Sequence, residues 1–214
     1  METKVLRPFG PSIMYARIPD KLVNDLNEYI DQTVENKNKI NELNYGNKLA
    51  ADVKQEFKSE RDFAKKVGWL DFLGKCAHAW IKREINKDIR KFAVIESWIV
   101  RQYKNEYNPT HYHSGHISGA GFLKVPKTLG NFVQDKGDKI YKGGTLNLIH
   151  GTRQFLSHSI FQIKPEVGHF YLFPNYMMHT VYPFRGTDEE RRSISFNAFI
   201  DEDIYNVYAD YVKN

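Results

Sequence analysis

The segment His111-Tyr112-His113 has the residue types and spacing to grip a metal ion. In an extended strand, side chains two apart share a side, so both imidazoles would face one ion while Tyr112 turns away. A plainer reading stays open, in which two histidines coincide in a polar loop. A metal would need a further ligand, and His179 is the best placed. It follows a turn at Pro165 to Gly168, an apolar strand and a second turn at Pro174-Asn175, a path that would bring the chain back to the pair. His116 comes after Ser114-Gly115 and need not share their direction. His150, His158 and His169 read as structural or surface residues.

The second chemical feature lies twelve residues past His179. Period two places Arg191, Ser193, Ser195 and Asn197 on one face of a strand, with Ile194, Phe196 and Ala198 on the other. An arginine beside hydroxyls suits a carboxylate, because the guanidinium fork matches two oxygens. Such a face should look into a wet cavity or at a ligand. The alternative is a solvated edge strand. Arg192, its neighbour, falls on the opposite face.

The elements that must position these residues change character near residue 90. Before it, the spacing predicts a strand over Ser12 to Ile18 and a helix over Asp20 to Val34, with Asp20 as N-cap beside Pro19. Residues 36–58 read as a polar loop with at most a turn of helix. A second helix should start at Ser59, where Ser59 and Asp62 have capping-box spacing, and Gly68 and Gly74 leave room for a break. Cys76 falls on its apolar face and reads as a small buried side chain. From Phe92 the period becomes two, with Ala93, Ile95, Ser97, Ile99, Arg101 and Tyr103 alternating against Val94, Glu96, Trp98, Val100 and Gln102. Further strands are expected over His111–His113, Ser118–Val125, Thr145–His150, Ser159–Ile163, His169–Phe173, Thr180–Tyr182 and Ser193–Ile200. Many short strands separated by turns indicate a sandwich or closed barrel, with the helices covering one sheet. The aromatics, 14% of residues, would then mainly fill the barrel. The long loop from Lys127 to Lys142 is a candidate lid over the barrel mouth.

Composition narrows the function. Hydrophobic residues at 41% and charged residues at 27% are those of an ordinary globular chain, which excludes wholesale disorder. No apolar run approaches membrane-spanning length. One cysteine permits no internal disulfide, and Met1-Glu2-Thr3-Lys4 leads into no apolar leader segment, so a cytoplasmic protein is expected. The net charge of +5 raises the question of an acidic partner. Its lysines and arginines are interleaved with acids, without the basic, aromatic-studded run of a strand-tracking groove, so nucleic acid is a disfavoured partner.

In order along the chain, Tyr103, His111-x-His113, Ser118-Gly119, Gly143-Gly144-x-Leu146, Pro165-x-x-Gly168, Phe173-Pro174, His179 and Arg191-x-Ser193-Ile194-Ser195-Phe196-Asn197 resemble the iron(II)- and 2-oxoglutarate-dependent oxygenases. The resemblance covers roughly residues 92–200 and is nearest to prolyl-4-hydroxylase-like members, in particular a subgroup carrying His-x-His. It implies a mainly β (α+β) chain built on a double-stranded β-helix, a jelly roll or cupin-like barrel, with N-terminal helices packed on one sheet. The expected layout is one oxygenase domain over 1–214, with a helical support region (1–90), a core (91–200) and a C-terminal tail (201–214). The resemblance implies iron(II) on His111 and His179, and 2-oxoglutarate held by Arg191 with Ser193 and Tyr103. It further implies O2 as oxidant, admits ascorbate as reductant, and points to hydroxylation of a prolyl residue, a free amino acid or a small metabolite. The usual facial triad is two histidines and a carboxylate. Here His113 stands where the carboxylate would be. Three readings follow: His113 is itself the third ligand, a carboxylate such as Glu106 or Asp135 substitutes, or the site is degenerate. Outside this family, a cupin-type metal protein would share the barrel and the His-x-His pair, but it has no need of Arg191-x-Ser193.

Overall fold

The computed structural model describes residues 2–6 and 10–206. The chain runs β1 (Thr3–Leu6), β2 (Ile13–Arg17), α1 (Asp20–Glu35), α2 (Lys37–Leu43), β3 (Gln55–Lys58), α3 (Arg61–Lys66), α4 (Trp69–Ile85), β4 (Phe92–Gln102), β5 (Asn108–His111), β6 (Ile117–Lys124), β7 (Leu146–Ile149), β8 (Ile160–Ile163), β9 (His169–Pro174), β10 (Met178–Val181), β11 (Arg191–Ile200) and α5 (Glu202–Tyr205). Two antiparallel sheets result, ordered β1-β2-β9-β6-β11-β4-β3 and β5-β10-β7-β8. From β4 on, the chain passes back and forth between the sheets, with β7 and β8 forming a hairpin within the smaller one, as in a double-stranded β-helix.

The larger sheet has two different faces because its strands alternate. On β11 the outward residues Ile194, Phe196 and Ala198 join Phe170, Leu172 and Ile99 against Leu26, Ile30, Trp69, Phe72, Leu73 and Ala77 of the helices. The strand β6 supplies glycines on this face. A Cβ at Gly119 would stand 2.6 Å from the Phe196 ring, so only glycine lets the stacked Phe170 and Phe196 rings lie on the strand. A smaller cluster (Ile13, Phe122, Leu146, Leu148, Ile163, Phe173 and Met177) fills the space between the sheets. The rest of that space is a cavity lined by both apolar residues, such as Trp98 and Val100, and polar ones, such as His179, Arg191 and Ser193. The large aromatics Trp69, Phe72, Trp80, Phe170 and Phe196 lie in the helix–sheet layer, so these five do not fill the barrel interior that was expected to take most of the aromatics.

The N-terminal half departs from expectation in several places. Asp20 is the first helical residue of α1, and Pro19 is the N-cap without a side-chain bond. The stretch read as a loop contains α2, capped by Asn36 through Asn38 and Lys39, and the edge strand β3. Ser59 caps nothing. Its backbone N–H donates to Ser97 O (2.8 Å), which holds it as an extension of β3, so α3 starts after Glu60. The break in the second helix falls at Gly68, whose φ of +86° suits glycine, while Gly74 stays helical. The strand β1 lacks enough alternation to be seen in sequence. Cys76 is buried. No helix among the described residues is long and apolar enough to cross a membrane. Of the expected tail, residues 202–205 form α5, and 207–214 lie outside the described residues.

Candidate metal and cosubstrate site

Antiparallel pairing of β5 with β10 sets His111 directly opposite His179. Cross-strand partners point to the same face, so these two imidazoles meet with ring centroids 4.2 Å apart. His113 arrives differently. β5 ends at His111, so His113 is outside the strand in which it was expected. Its N–H donates to Asn175 O (3.0 Å), and Asn175 Nδ2 donates back to His113 O (3.2 Å). This clamp swings the ring over the other two. The three side-chain donor atoms lie within 4.8 Å of one another.

Tautomers follow from the partners. A carbonyl can only accept, so His111 Nδ1 donates to Pro109 O (2.7 Å) and His179 Nδ1 to Met177 O (2.9 Å). Their Nε2 lone pairs therefore face the centre. Backbone carbonyls orienting ligand imidazoles in this way are a common feature of metal sites. His113 Nε2 is 3.1 Å from His179 Nε2. With a proton on one of them this is a hydrogen bond, and with none it is a repulsion that a shared cation relieves. Burial, then the neighbouring imidazoles, push His113 and His179 down to about 3, and burial also lowers His111. All three are neutral at pH 7. Three neutral imidazole nitrogens converging on one point fit a divalent transition metal.

The same cavity receives Arg191, Ser193 and Ser195 from β11, Trp98, Val100 and Gln102 from β4, and Asn108 and His111 from β5. Arg191 is 2% exposed. Its Nε donates to Gly144 O (3.0 Å), one Nη to Gln102 Oε1 (3.1 Å), and its guanidinium lies 5.0 Å from the centre of the Phe122 ring. Among the described residues no carboxylate pairs with it. Desolvation accordingly pulls it down to about 10. Arg192 is the contrast. It faces the other side of the strand and is saturated by Glu190 (2.7 and 3.0 Å), Asp31 (2.6 Å) and Asn27. An arginine enters a protein interior with its charge matched or with a place left for an anion. Arg191 is not matched by an acid among the described residues.

Tyr103 is not brought to this cavity. It belongs to the odd set of the β4 alternation, and its hydroxyl accepts from Arg101 Nη2 (2.6 Å) on the opposite face. Gln102, of the even set, contacts Arg191 instead. Alternation puts Tyr103 and Gln102 on opposite faces, and the pairing of Gln102 with Arg191 across the sheet decides which of them enters the cavity. Glu106 accepts from Tyr103 N (2.8 Å), and Asp135 is exposed and caps Gly137 N. Neither carboxylate joins the histidines. His116 accepts from Ile200 N (3.2 Å) and stacks on Tyr205. His169 packs edge-on against Tyr15. None of residues 127–142 lines the cavity; Leu129 O accepts from Arg185 N (3.2 Å), tying that loop to the segment before β11.

Residues 96–197 match the profile of a family described as "Putative 2OG-Fe(II) oxygenase". No curated protein matches the chain by sequence. Among solved structures, a Pseudomonas putida prolyl-4-hydroxylase is similar at a TM-score of 0.58 and 13% identity, covering 88% of this chain and 92% of its own. The viral collagen prolyl hydroxylase of Paramecium Bursaria Chlorella virus-1, solved with 2OG, is similar at a TM-score of 0.50 and 15% identity, covering 86% of this chain and 94% of its own.

Proposed function

We propose, from the premise that this chain belongs through residues 96–197 to the 2OG-Fe(II) oxygenases, that His111, His113 and His179 hold iron(II) and that Arg191 with Ser193 holds the distal carboxylate of 2-oxoglutarate. The carrying observation is that three convergent neutral imidazoles and one buried, carboxylate-free arginine share a single cavity. In this reading His113 takes the position usually given to a carboxylate.

Bound iron(II) supplies the one-electron and O2 chemistry that decarboxylates 2-oxoglutarate to succinate and oxidises a C–H bond. The chain's own residues bind, orient and desolvate. Pro109 O and Met177 O fix the His111 and His179 rings so that their lone pairs converge without rearrangement. Three neutral imidazoles would leave a divalent ion at +2, a charge that a 2-oxoglutarate dianion would neutralise. Gly144 O and Gln102 hold the Arg191 guanidinium still, leaving its other N–H groups for two carboxylate oxygens. Phe122 and Leu146 exclude water beside it, which strengthens the pair. Trp98, 5.3 Å from the His113 ring, and Phe173, 5.0 Å from His179, wall the histidines.

The reaction proposed is hydroxylation, with a prolyl residue, a free amino acid or a small metabolite as substrate; the prolyl hydroxylase neighbours supply the fold on which the first choice rests. Ascorbate would serve as reductant in uncoupled turnover. A cupin-type protein without 2-oxoglutarate leaves Arg191 unexplained, and lysines and arginines interleaved with acids along the sequence do not favour a nucleic-acid substrate. The test is succinate and CO2 formation by the iron-loaded protein given 2-oxoglutarate and O2. Succinate that depends on iron and on Arg191 supports the reading, and its absence with bound iron overturns it.

A further inference from the structure

The turn between β9 and β10 serves two of the three histidines. Asn175 exchanges two hydrogen bonds with His113: its carbonyl accepts from His113 N (3.0 Å) and its Nδ2 donates to His113 O (3.2 Å). Two residues on, Met177 O accepts from His179 Nδ1 (2.9 Å). His113 lies past the end of β5, outside the strand ladder. Its position therefore depends on Asn175, and residues 175–177 are themselves a loop between Pro174 of β9 and Met178 of β10.

What holds that turn comes from the far end of the described chain. Tyr205, the last residue of α5, donates its hydroxyl to Asn175 Oδ1 (3.0 Å). His113 O can only accept, which sets Asn175 Nδ2 toward it and Oδ1 toward the tyrosine. The Tyr205 ring stacks on His116 with centroids 3.9 Å apart and planes 9° apart. His116 is buried and fixed by its backbone and its ring: its N–H donates to Ala198 O (2.9 Å), its Nδ1 accepts from Ile200 N (3.2 Å), and its carbonyl accepts from Asn175 N (3.2 Å). The helix α5 is a single turn, too short to be stable without tertiary contacts. Asp201 anchors its start by accepting from Arg90 N (2.8 Å) and Lys91 N (3.0 Å), and the His116 stack anchors its end. Tyr205 is 38% exposed. Without its hydroxyl, Asn175 Oδ1 would bond water, so the contact orients the amide more than it stabilises the fold.

We infer that Tyr205 is a positioning residue for the metal centre, holding His113 in place through Asn175, so that a turn of helix outside the barrel sets how firmly the third histidine binds. This rests on the oxygenase reading above, in which His113 is a metal ligand.

Cobalt(II) alone is the probe, bound to the full chain and followed by equilibrium dialysis and by its visible absorption. Tyr205→Phe keeps the ring on His116 and removes only the hydroxyl. Loss of one ordinary hydrogen bond should weaken cobalt(II) by about threefold to tenfold, and the cobalt(II) spectrum should shift toward that of His113→Ala while the metal-free melting temperature stays close to native. In a His113→Ala background, Tyr205→Phe should change affinity by less than about twofold, because no third histidine remains to be positioned. A residue with only a structural role would weaken both backgrounds by the same factor. Unchanged affinity and spectrum in Tyr205→Phe, or an equal loss in the two backgrounds, would overturn the inference. If the native chain does not bind cobalt(II), or His113→Ala binds it as tightly, the ligand reading fails and the positioning role with it. If His113→Ala loses the metal and Tyr205→Phe does not, the positioning role fails alone.

Discussion

Arg191 and Arg192 are adjacent, equally buried and equally charged, yet they should behave oppositely when replaced by methionine. Arg192 is tied to Glu190, Asp31 and Asn27. Removing it leaves Glu190 buried with only Arg101 and the more distant Lys124. Breaking a buried pair from one side costs about 3–5 kcal/mol. Arg191 has no anionic partner among the described residues. Its drop from 12.5 to about 10 means that folding with the cation inside costs about 3 kcal/mol. Its two hydrogen bonds, to Gly144 O and Gln102, return roughly 1–1.5 kcal/mol each. These nearly cancel, so Arg191→Met should leave the ligand-free melting temperature within a few degrees of the native protein while Arg192→Met lowers it strongly. The ranking reverses with 2-oxoglutarate present. A ligand at a hundredfold excess over its Kd stabilises by about 2.7 kcal/mol. Arg191→Met should lose that shift, because truncating one side of a buried charged pair costs about 2–5 kcal/mol of affinity. Arg192→Met should keep the shift. Thermal melts with and without 2-oxoglutarate decide it. If Arg191→Met is as damaging as Arg192→Met in the absence of ligand, or retains the 2-oxoglutarate shift, the assignment of Arg191 to the dicarboxylate is wrong.

Three further outcomes are expected. Arg101 and Arg192 outweigh desolvation and hold Glu190 down from 4.5 to about 2; a carboxyl depressed on folding contributes stability that is complete above about pH 5 and lost as pH falls toward 2. Urea melts should show that acid-limb slope reduced in Glu190→Gln, and an unchanged slope would contradict the pairing. His113→Ala should cost more iron(II) affinity than the roughly 10–100-fold typical of losing an outer partner, whereas His113→Asp should retain iron. Equal iron binding by His113→Ala, measured by equilibrium dialysis, would remove His113 from the ligand set. Burial pushes the Cys76 thiol up to about 12, so a maleimide should label it only at the rate of unfolding; rapid labelling of the native protein would show that the α4 core opens.

Much of the site was legible because β-strands impose a strict period. Alternation separated Arg191 from Arg192, and the structure places one in the cavity and the other against α1. The order of His111, His113 and His179 along the chain, with turns between them, made His179 the best-placed candidate to join the pair. The same alternation separates Tyr103 from Gln102, but the register against Arg191 decided that Gln102 is the one in the cavity. What stayed hidden depends on contacts made between distant segments. Sequence gives no pairing register, so nothing in it sets His179 across from His111, or Asn175 against His113. It read residues 36–58 as a polar loop because β3 is a short edge strand whose pattern is too brief to register. The sequence by itself determined the residue types and the faces they share: three imidazoles, an arginine and hydroxyls on a strand-rich scaffold. Only the tertiary structure decided which of those charges are satisfied, because desolvation and pairing arise from neighbours far apart in the chain, and it is the unsatisfied ones that point to ligands.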